Sequence, residues 1–468
     1  MATLSFKWEE ILLEKSPTIV FEKRIKKHLE RVGGGTYGET FILEEDSRLE
    51  GPLERIFTKL GILRGKRDLV LKFSRPCFGD EECKERFREF EEEGLRLFTV
   101  YSACIDSARI GIVPKFYGGF AVKDSRGLGF AVLIMAYGGI DLNKAIEIFA
   151  NYLDPPTVFV MGPGNIIRAR IEEVKSKVVG ISVGLFNALR KLHSEGLAHG
   201  DFKPGNVVVN LLIGFVNEEA SATTRLPVGT ILELDRGDEV KLVDMGSMCR
   251  FKDRGEEFDR EFDRVFPLCI KPQCTSMYCH MPLKMHVVGK KLEEGACLDM
   301  LHDWYGFIGT VYRLIVDTGL FKGRPWRKLV NFNPDLGLPT RDYAEIRGEL
   351  IDFFTKRTGE DVPLALRHPM HDPRDVFSSA PFLLDMIVKI LHIDARPLLT
   401  GDAEPSAFSG VCDYITRLER DVEGTELSAS PPDFTPEESK EDDEVPFLPT
   451  AVLTDATHLS EVTGLTGV

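Results

Sequence analysis

The stretch that most restricts this chain is Leu192 to Asn210, LHSEGLAHGDFKPGNVVVN, which sets an Asp, a Lys and an Asn at Asp-x-Lys-x-x-Asn spacing directly ahead of an apolar run. Asp201 can accept a hydrogen bond from an incoming hydroxyl and orient it. Lys203 can neutralise charge on a transferring phosphoryl group, and Asn206 can ligate a magnesium ion. A polar turn between a helix and a strand has a similar composition, so the reading depends on what stands on either side.

Upstream, RVGGGTYGETFIL places Gly33, Gly35 and Gly38 in a G-x-G-x-x-G turn between two apolar runs. Glycines let backbone amides approach phosphates closely, and strand-turn-strand flanks differ from the strand-turn-helix of dinucleotide folds. DLVLKF then puts Lys72 between apolar neighbours on a strand. A helix predicted over 82–101 carries Glu89, Glu91, Glu92 and Glu93. Phe87, Glu91, Leu95 and Phe98 share one helical face, which selects Glu91 as the inward carboxylate and Glu92 as the second choice. GLGFAVLIMAYGGIDL reads as a buried strand running into a Gly-Gly turn, and KLVDMGSM as a strand ending in Asp-x-Gly.

Taken in order, these motifs resemble the eukaryotic protein kinases, whose loop reads H-R-D-x-K-x-x-N. The resemblance covers about residues 20–420. It implies an α+β bilobal fold, with a small antiparallel β lobe carrying one helix and a mainly helical large lobe. ATP and magnesium would bind between them, and the γ-phosphoryl would pass to a Ser or Thr hydroxyl of a protein substrate. In the resemblance Lys72 bonds the α and β phosphates and pairs with Glu91, while Gly33, Gly35 and Gly38 cover the phosphates. Met135 is the gatekeeper, Ala136 and Tyr137 the hinge that binds adenine, and Asp141 the ribose contact. Asp244 and Asn206 hold the metal, with Met245 in place of the usual Phe. Thr275 contacts Asp201 and Lys203, and Asp303 braces the catalytic loop.

The sequence departs from the family pattern at several points. Gly200 stands where most of the family has Arg, and His-Gly-Asp also occurs in small-molecule kinases of the aminoglycoside and choline type. The A-P-E motif lacks its Glu, although Arg396 stands where its partner would be. Between Met248 and Cys274 there is no Ser, Thr or Tyr, so the middle of the activation loop offers no phosphate acceptor. A small-molecule kinase and a non-catalytic pseudokinase scaffold are the alternative readings. The inserted segments and His-Gly-Asp are also similar to divergent parasite kinases of the rhoptry type.

The boundaries expected are an N-terminal extension over 1–19, the small lobe over 20–136 and the large lobe over 137–420, with insertions near 151–168 and 210–235. Residues 50–67 form a further insertion with a short amphipathic helix, and a helix is predicted over Phe6–Leu13 from Trp8, Ile11 and Leu12. From 421 to 468 the chain holds twelve acidic residues and one Lys, a composition that reads as a disordered tail with a possible docking segment at 447–453. Without that tail most of the net charge of −15 is gone, and no basic cluster interleaved with aromatics suggests nucleic acid. No apolar run reaches the ~20 residues of a membrane span, and Glu9 and Glu10 interrupt any leader, which predicts an intracellular, cytoplasmic protein. The nine cysteines are odd in number and scattered, which predicts reduced thiols rather than disulfides. Zinc at Cys269, Cys274, Cys279 and His280 is a weaker alternative, since their spacing fits no common pattern.

Overall fold

The computed structural model describes residues 8–13, 29–34, 38–43, 69–104, 111–153, 163–214, 231–234, 240–251, 265–269, 275–279, 298–321, 323–333, 335, 338–355, 373–393 and 405–421. Gly35, the 50–67 insertion, Cys274, His280, Arg396 and the acidic tail after Asp421 lie outside them.

The small lobe is built on β1 (Trp8–Leu13), β2 (Leu29–Gly34), β3 (Gly38–Leu43), β4 (Leu69–Ser74), β5 (Cys77–Phe78), β6 (Phe116–Asp124) and β7 (Leu128–Ala136), with helix α1 (Asp80–Ala103). The strand order is β1-β6-β7-β4-β3-β2, with β5 added to β7. All pairings are antiparallel except β1 with β6. Side-chain alternation at period two explains the layers. Leu69, Leu71 and Phe73 on β4 join Phe41, Phe120, Phe130, Val132 and Ile134 on one face. Val70 on β4 and Ala131, Leu133 and Met135 on β7 face the other way, towards Phe87, Phe90 and Leu97 of α1. Lys72 shares this second phase with Val70, which is why a strand lysine reaches the helix. Three acidic residues, Asp80, Glu81 and Glu82, open α1 and complement the positive end of its dipole.

The large lobe contains β8 (Ile140–Asp141), α2 (Leu142–Leu153), α3 (Pro163–Ser194), β9 (Leu197–Ala198), β10 (Val207–Val209), β11 (Leu211–Gly214), β12 (Ile231–Leu234), β13 (Val240–Leu242), β14 (Cys249–Arg250), α4 (Leu298–Val316), α5 (Tyr343–Thr355), α6 (Pro381–Leu391) and α7 (Pro405–Asp421). In α3, Val174, Val178, Ile181, Leu185 and Leu189 recur at helical spacing and are buried with Trp304, Phe307, Ile308 and Val311 of α4. The rings of Phe186 and Trp304 lie 5.5 Å apart at this seam. The arrangement is a two-lobed, kinase-like α+β fold. Among the described residues no helix is long and apolar enough to cross a membrane.

Three expectations are corrected. The predicted N-terminal helix is instead strand β1, paired from Trp8 with Gly119 to Leu13 with Asp124. The Trp8 ring lies over Gly119, and the open edge of β6 supplies backbone partners that the local apolar spacing could not reveal. The insertion expected as a loop near 151–168 is helical at both ends, because α2 runs to Leu153 and α3 starts at Pro163, a position where proline's missing N–H costs nothing. Around 210–235, the β11 and β12 strands pair as an antiparallel ribbon.

The third correction concerns the thiols. Cys77 is bonded to Cys83 and Cys249 to Cys269, and Cys279 and Cys412 are also disulfide-bonded. Sequence spacing does not say which thiols the fold brings together. With Cys269 and Cys279 in disulfides, the zinc alternative loses two of its thiolates. Cys104 is buried.

Candidate active site

The loop that carries Asp201 leaves β9 and enters β10 through a short helical turn at Pro204–Asn206. This turn folds Asn206 back on Asp201, so that its Nδ2 donates to the Asp201 backbone carbonyl at 2.9 Å and to Oδ2 at 3.1 Å. Lys203 Nζ donates to the same Oδ2 at 2.6 Å. Oδ1 accepts the Thr275 amide at 2.6 Å and its hydroxyl at 2.7 Å, and that hydroxyl in turn accepts from Lys203 at 2.7 Å. Four donors therefore fill the acceptor sites of one carboxylate. His199 Nε2 donates to the Val243 carbonyl at 3.1 Å while Nδ1 accepts the Asp201 amide at 3.4 Å, so one tautomer satisfies both contacts.

Val243 precedes the second cluster. Asp244 sits in the left-handed region at φ 64°, a conformation that Asp and Asn tolerate better than most side chains. Its Oδ1 accepts from Lys72 Nζ at 3.0 Å, and Lys72 also donates to Glu93 Oε1 at 2.6 Å. Burial works against the Lys72 ammonium, yet the two carboxylates outweigh it and hold its pKa above the usual lysine range. Burial also opposes ionisation of Asp244, but Lys72 prevails and holds the carboxyl below the usual carboxylate range, with His199 and Lys203 adding to the effect. Glu93 moves the other way: burial raises its pKa, and Lys72 offsets only part of this.

The partner of Lys72 is thus Glu93 and not Glu91. The buried stripe of α1 is Cys83, Phe87, Phe90, Glu93, Gly94, Leu97 and Val100. Phe90 rather than Glu91 continues the stripe from Phe87, and this phase turns Glu93 inward. Glu91 is half-buried and Glu92 is exposed.

The remaining nucleotide-side candidates are placed as follows. Gly33 lies on β2 and Gly38 opens β3. A Cβ at Gly38 would meet the Phe73 carbonyl oxygen at 1.8 Å, so strand packing by itself is enough to require glycine here. Met135 is buried at the end of β7, paired with Val70. The Ala136 amide donates to the Lys115 carbonyl at 2.8 Å, which removes it as a donor to adenine, and Tyr137 follows it. Asp141 Oδ1 accepts the Asn143 amide at 2.7 Å at the start of α2.

Behind the loop, Asp303 of α4 accepts the His199 amide on Oδ2 at 2.7 Å and the Gly200 amide on Oδ1 at 3.0 Å. Two residues that the sequence did not single out complete this support. His193 Nε2 lies 3.2 Å from Asp303 Oδ2, and its Nδ1 lies 2.7 Å from Glu419 Oε1 on α7. Trp304 Nε1 also donates to Glu419, at 2.8 Å. The link spans 226 residues of chain, so nothing local to Glu419 announces it.

Burial disfavours protonated His193, but Glu419 and Asp303 outweigh that and raise its pKa to about 9. An unfolded histidine titrates near 6.5, so the folded protein holds this proton more tightly. The resulting stabilisation, about 3 kcal/mol, is complete below the unfolded pKa and is lost as pH rises through the folded one. Denaturant midpoints measured at neutral pH and above the folded pKa should therefore fall more in the wild type than in His193→Asn. Equal falls would place the pH dependence elsewhere.

No protein-family model matches the chain, and no curated protein matches it. Among solved structures, a crystal structure of a kinase domain from Plasmodium is similar over 82% of this chain and 94% of its own, at 15% identity and a TM-score of 0.36. The chemistry is carried by the side chains themselves.

Proposed function

We propose that this chain is a protein kinase that transfers the γ-phosphoryl of ATP to Ser or Thr hydroxyls of protein substrates. The observation that carries the reading is the Asp201 carboxylate, held by Lys203, Thr275 and Asn206 beside the Lys72–Glu93–Asp244 group. Phosphoryl transfer needs little covalent help from the protein, so positioning and charge compensation supply the rate. In the proposed reaction Lys203 turns from Asp201 to the transferring phosphoryl, which frees an acceptor site on Oδ2 for the incoming hydroxyl. Asp201 then orients that hydroxyl and takes its proton. Lys72, held by Glu93, balances charge on the nucleotide phosphates.

Magnesium fits the donor set, because the Asp244 carboxylate and the Asn206 Oδ1 are hard oxygen ligands, and the hydrogen bonds from Asn206 Nδ2 fix which end of that amide points away from Asp201. Bound there, the ion would supply charge neutralisation between phosphates. Adenine would lie against Met135, Ala136 and Tyr137.

A polypeptide acceptor is favoured over a small molecule by Thr275, which ties the loop to the turn Ser276–Tyr278. A mostly apolar pocket beside that turn, whose lining includes Met277, Tyr305, Val330, Tyr343 and Ile346 together with the charged Arg341, suits a substrate side chain. Purified protein incubated with γ-labelled ATP, magnesium, generic protein acceptors and a panel of aminoglycosides and choline tests the assignment. Label on Ser or Thr of the proteins supports it. Label confined to small molecules, or nucleotide binding with no transfer, would replace it with the small-molecule kinase or the scaffold.

A chain ending at Asp421 keeps α7 and Glu419 and should phosphorylate a generic peptide within about twofold of the full-length rate. Loss of activity by that truncation, with its melting curve unchanged, would give the tail a catalytic role.

A further inference from the structure

The chain that follows Asp244 leaves the site as β14, antiparallel to β9, and returns through Val265–Cys269. These two stems are fastened to each other several times. The Arg250 amide donates to the Pro267 carbonyl at 2.9 Å, and the Cys269 amide donates to the Arg250 carbonyl at 2.9 Å. Arg250 Nε donates to the Phe266 carbonyl at 3.2 Å, and Cys249 is covalently bonded to Cys269. Ala198, Cys249 and Cys269 form a small buried cluster with Phe251 and Leu268 packed on it.

A second fastening comes from α1. Arg96, one turn beyond Glu93, donates from Nη1 to the Gly246 carbonyl at 2.6 Å and from Nε to the Val265 carbonyl at 3.0 Å. Its fork therefore bridges the residue two beyond Asp244 to the returning stem. Glu92 lies 3.7 Å from its Nη2. A lysine would offer a single nitrogen in place of the two guanidinium nitrogens that meet these carbonyls.

Phosphate has no place in this arrangement. No hydroxyl side chain occurs between Met248 and Cys274. Gly200, the position just before Asp201, has φ +79°, and a Cβ there would lie 2.4 Å from the Ser247 carbonyl oxygen. No cationic side chain can be housed at that point to receive a phosphate.

We propose that Arg96 and the Cys249–Cys269 disulfide together hold the two stems, residues 249–251 and 265–269, in their working position, with Arg96 as a positioning residue for the Asp244 motif and the disulfide as a covalent, reducible tie. The inference rests on the kinase reading of the same site. It places full activity in an oxidising compartment, where disulfides persist, and makes loop phosphorylation unnecessary. The tie is opened by a dithiol reductant. One of its thiolates attacks a sulfur of the Cys249–Cys269 bond and forms a mixed disulfide, and its second thiolate displaces that sulfur and closes its own disulfide. Two electrons and two protons pass to the protein, leaving two thiols. Asp299, whose carboxyl oxygen lies within 4.8 Å of both sulfurs, is a proton donor for the departing thiolate. Burial and the neighbouring Asp303 push its pKa up to about 8, which keeps it protonated near neutral pH.

The test uses the full chain, phosphatase-treated, verified unmodified by mass spectrometry and kept free of reductant. It should phosphorylate a protein acceptor within about twofold of untreated protein. Cys249→Ser/Cys269→Ser and Arg96→Gln should each lower kcat by about tenfold or more, with the ATP KM changed by less than about threefold, and Arg96→Lys should not restore the rate. A dithiol should cause the same loss in the wild type and no further loss in the double serine variant. Hydrogen exchange at the Arg250 and Cys269 amides should quicken in that variant while α4 stays protected.

Wild-type kcat in the double serine variant, or a dithiol effect of equal size in it, overturns the proposal and assigns redox sensitivity to another disulfide. If α4 also loses protection, Arg96→Gln and the dithiol titration of the wild type decide the matter. Absence of transfer by the wild type sinks the kinase reading instead, and the exchange data alone then judge the clamp.

Discussion

Asp244→Asn should leave the protein folded and lower phosphoryl transfer by on the order of 10³-fold or more, about 4 kcal/mol of transition-state stabilisation. Asn is the informative replacement because it tolerates the left-handed backbone at this position, where φ is 64°. It also keeps an oxygen able to accept from Lys72, whose other partner, Glu93, is untouched. The charge is what disappears. Asp244 is held ionised against burial by Lys72, and an ionised hard-oxygen ligand is what a magnesium ion between phosphates requires. The measurement is single-turnover transfer at saturating magnesium, with a melting curve to verify the fold. Near-normal turnover would remove Asp244 from the metal site.

Glu93→Gln should cost on the order of 10²-fold in kcat/KM, whereas Glu91→Gln should stay within about twofold. Two residues apart on a helix are about 200° apart around it, so only one of these carboxylates can face Lys72. Glu93 is that one, at 2.6 Å, and it is 5% exposed. Removing its charge leaves Lys72 with Asp244 alone, which biases the lysine towards the metal motif and away from nucleotide phosphates. Steady-state kinetics of the two variants side by side check this. A larger loss in Glu91→Gln would mean that α1 rotates by about half a turn in the working enzyme.

How far the site is legible in the sequence follows from the range of the forces involved. Asp201, Lys203 and Asn206 lie within six residues of one tight loop, so short-range geometry alone brings their side chains together. The two-lobed α+β fold is legible only through the family resemblance that the ordered motifs carry, not from apolar spacing by itself. Glu93 is not, because EFEEE offers three successive carboxylates and the phase of the helix is set by where Phe87 and Phe90 meet β4 and β7. The same holds for β1: WEEILL has apolar residues at helical spacing, and only the edge of β6, over a hundred residues away, makes it a strand. The disulfides and Glu419 depend on contacts between distant elements, which neither spacing nor composition encodes. Met245 in place of Phe is buried, and the turn it begins closes on Met248, so this departure leaves the turn after Asp244 intact.

The central claim is that Asp201 orients a protein hydroxyl for phosphoryl transfer. Transfer of label from γ-labelled ATP to Ser or Thr of a protein acceptor, compared between the wild type and Asp201→Asn at equal magnesium, addresses it directly. The account predicts clear labelling by the wild type and a rate about 10²- to 10⁴-fold lower in the variant, with nucleotide binding retained. Equal rates in the two proteins, or no labelling by the wild type while it binds ATP, would contradict it.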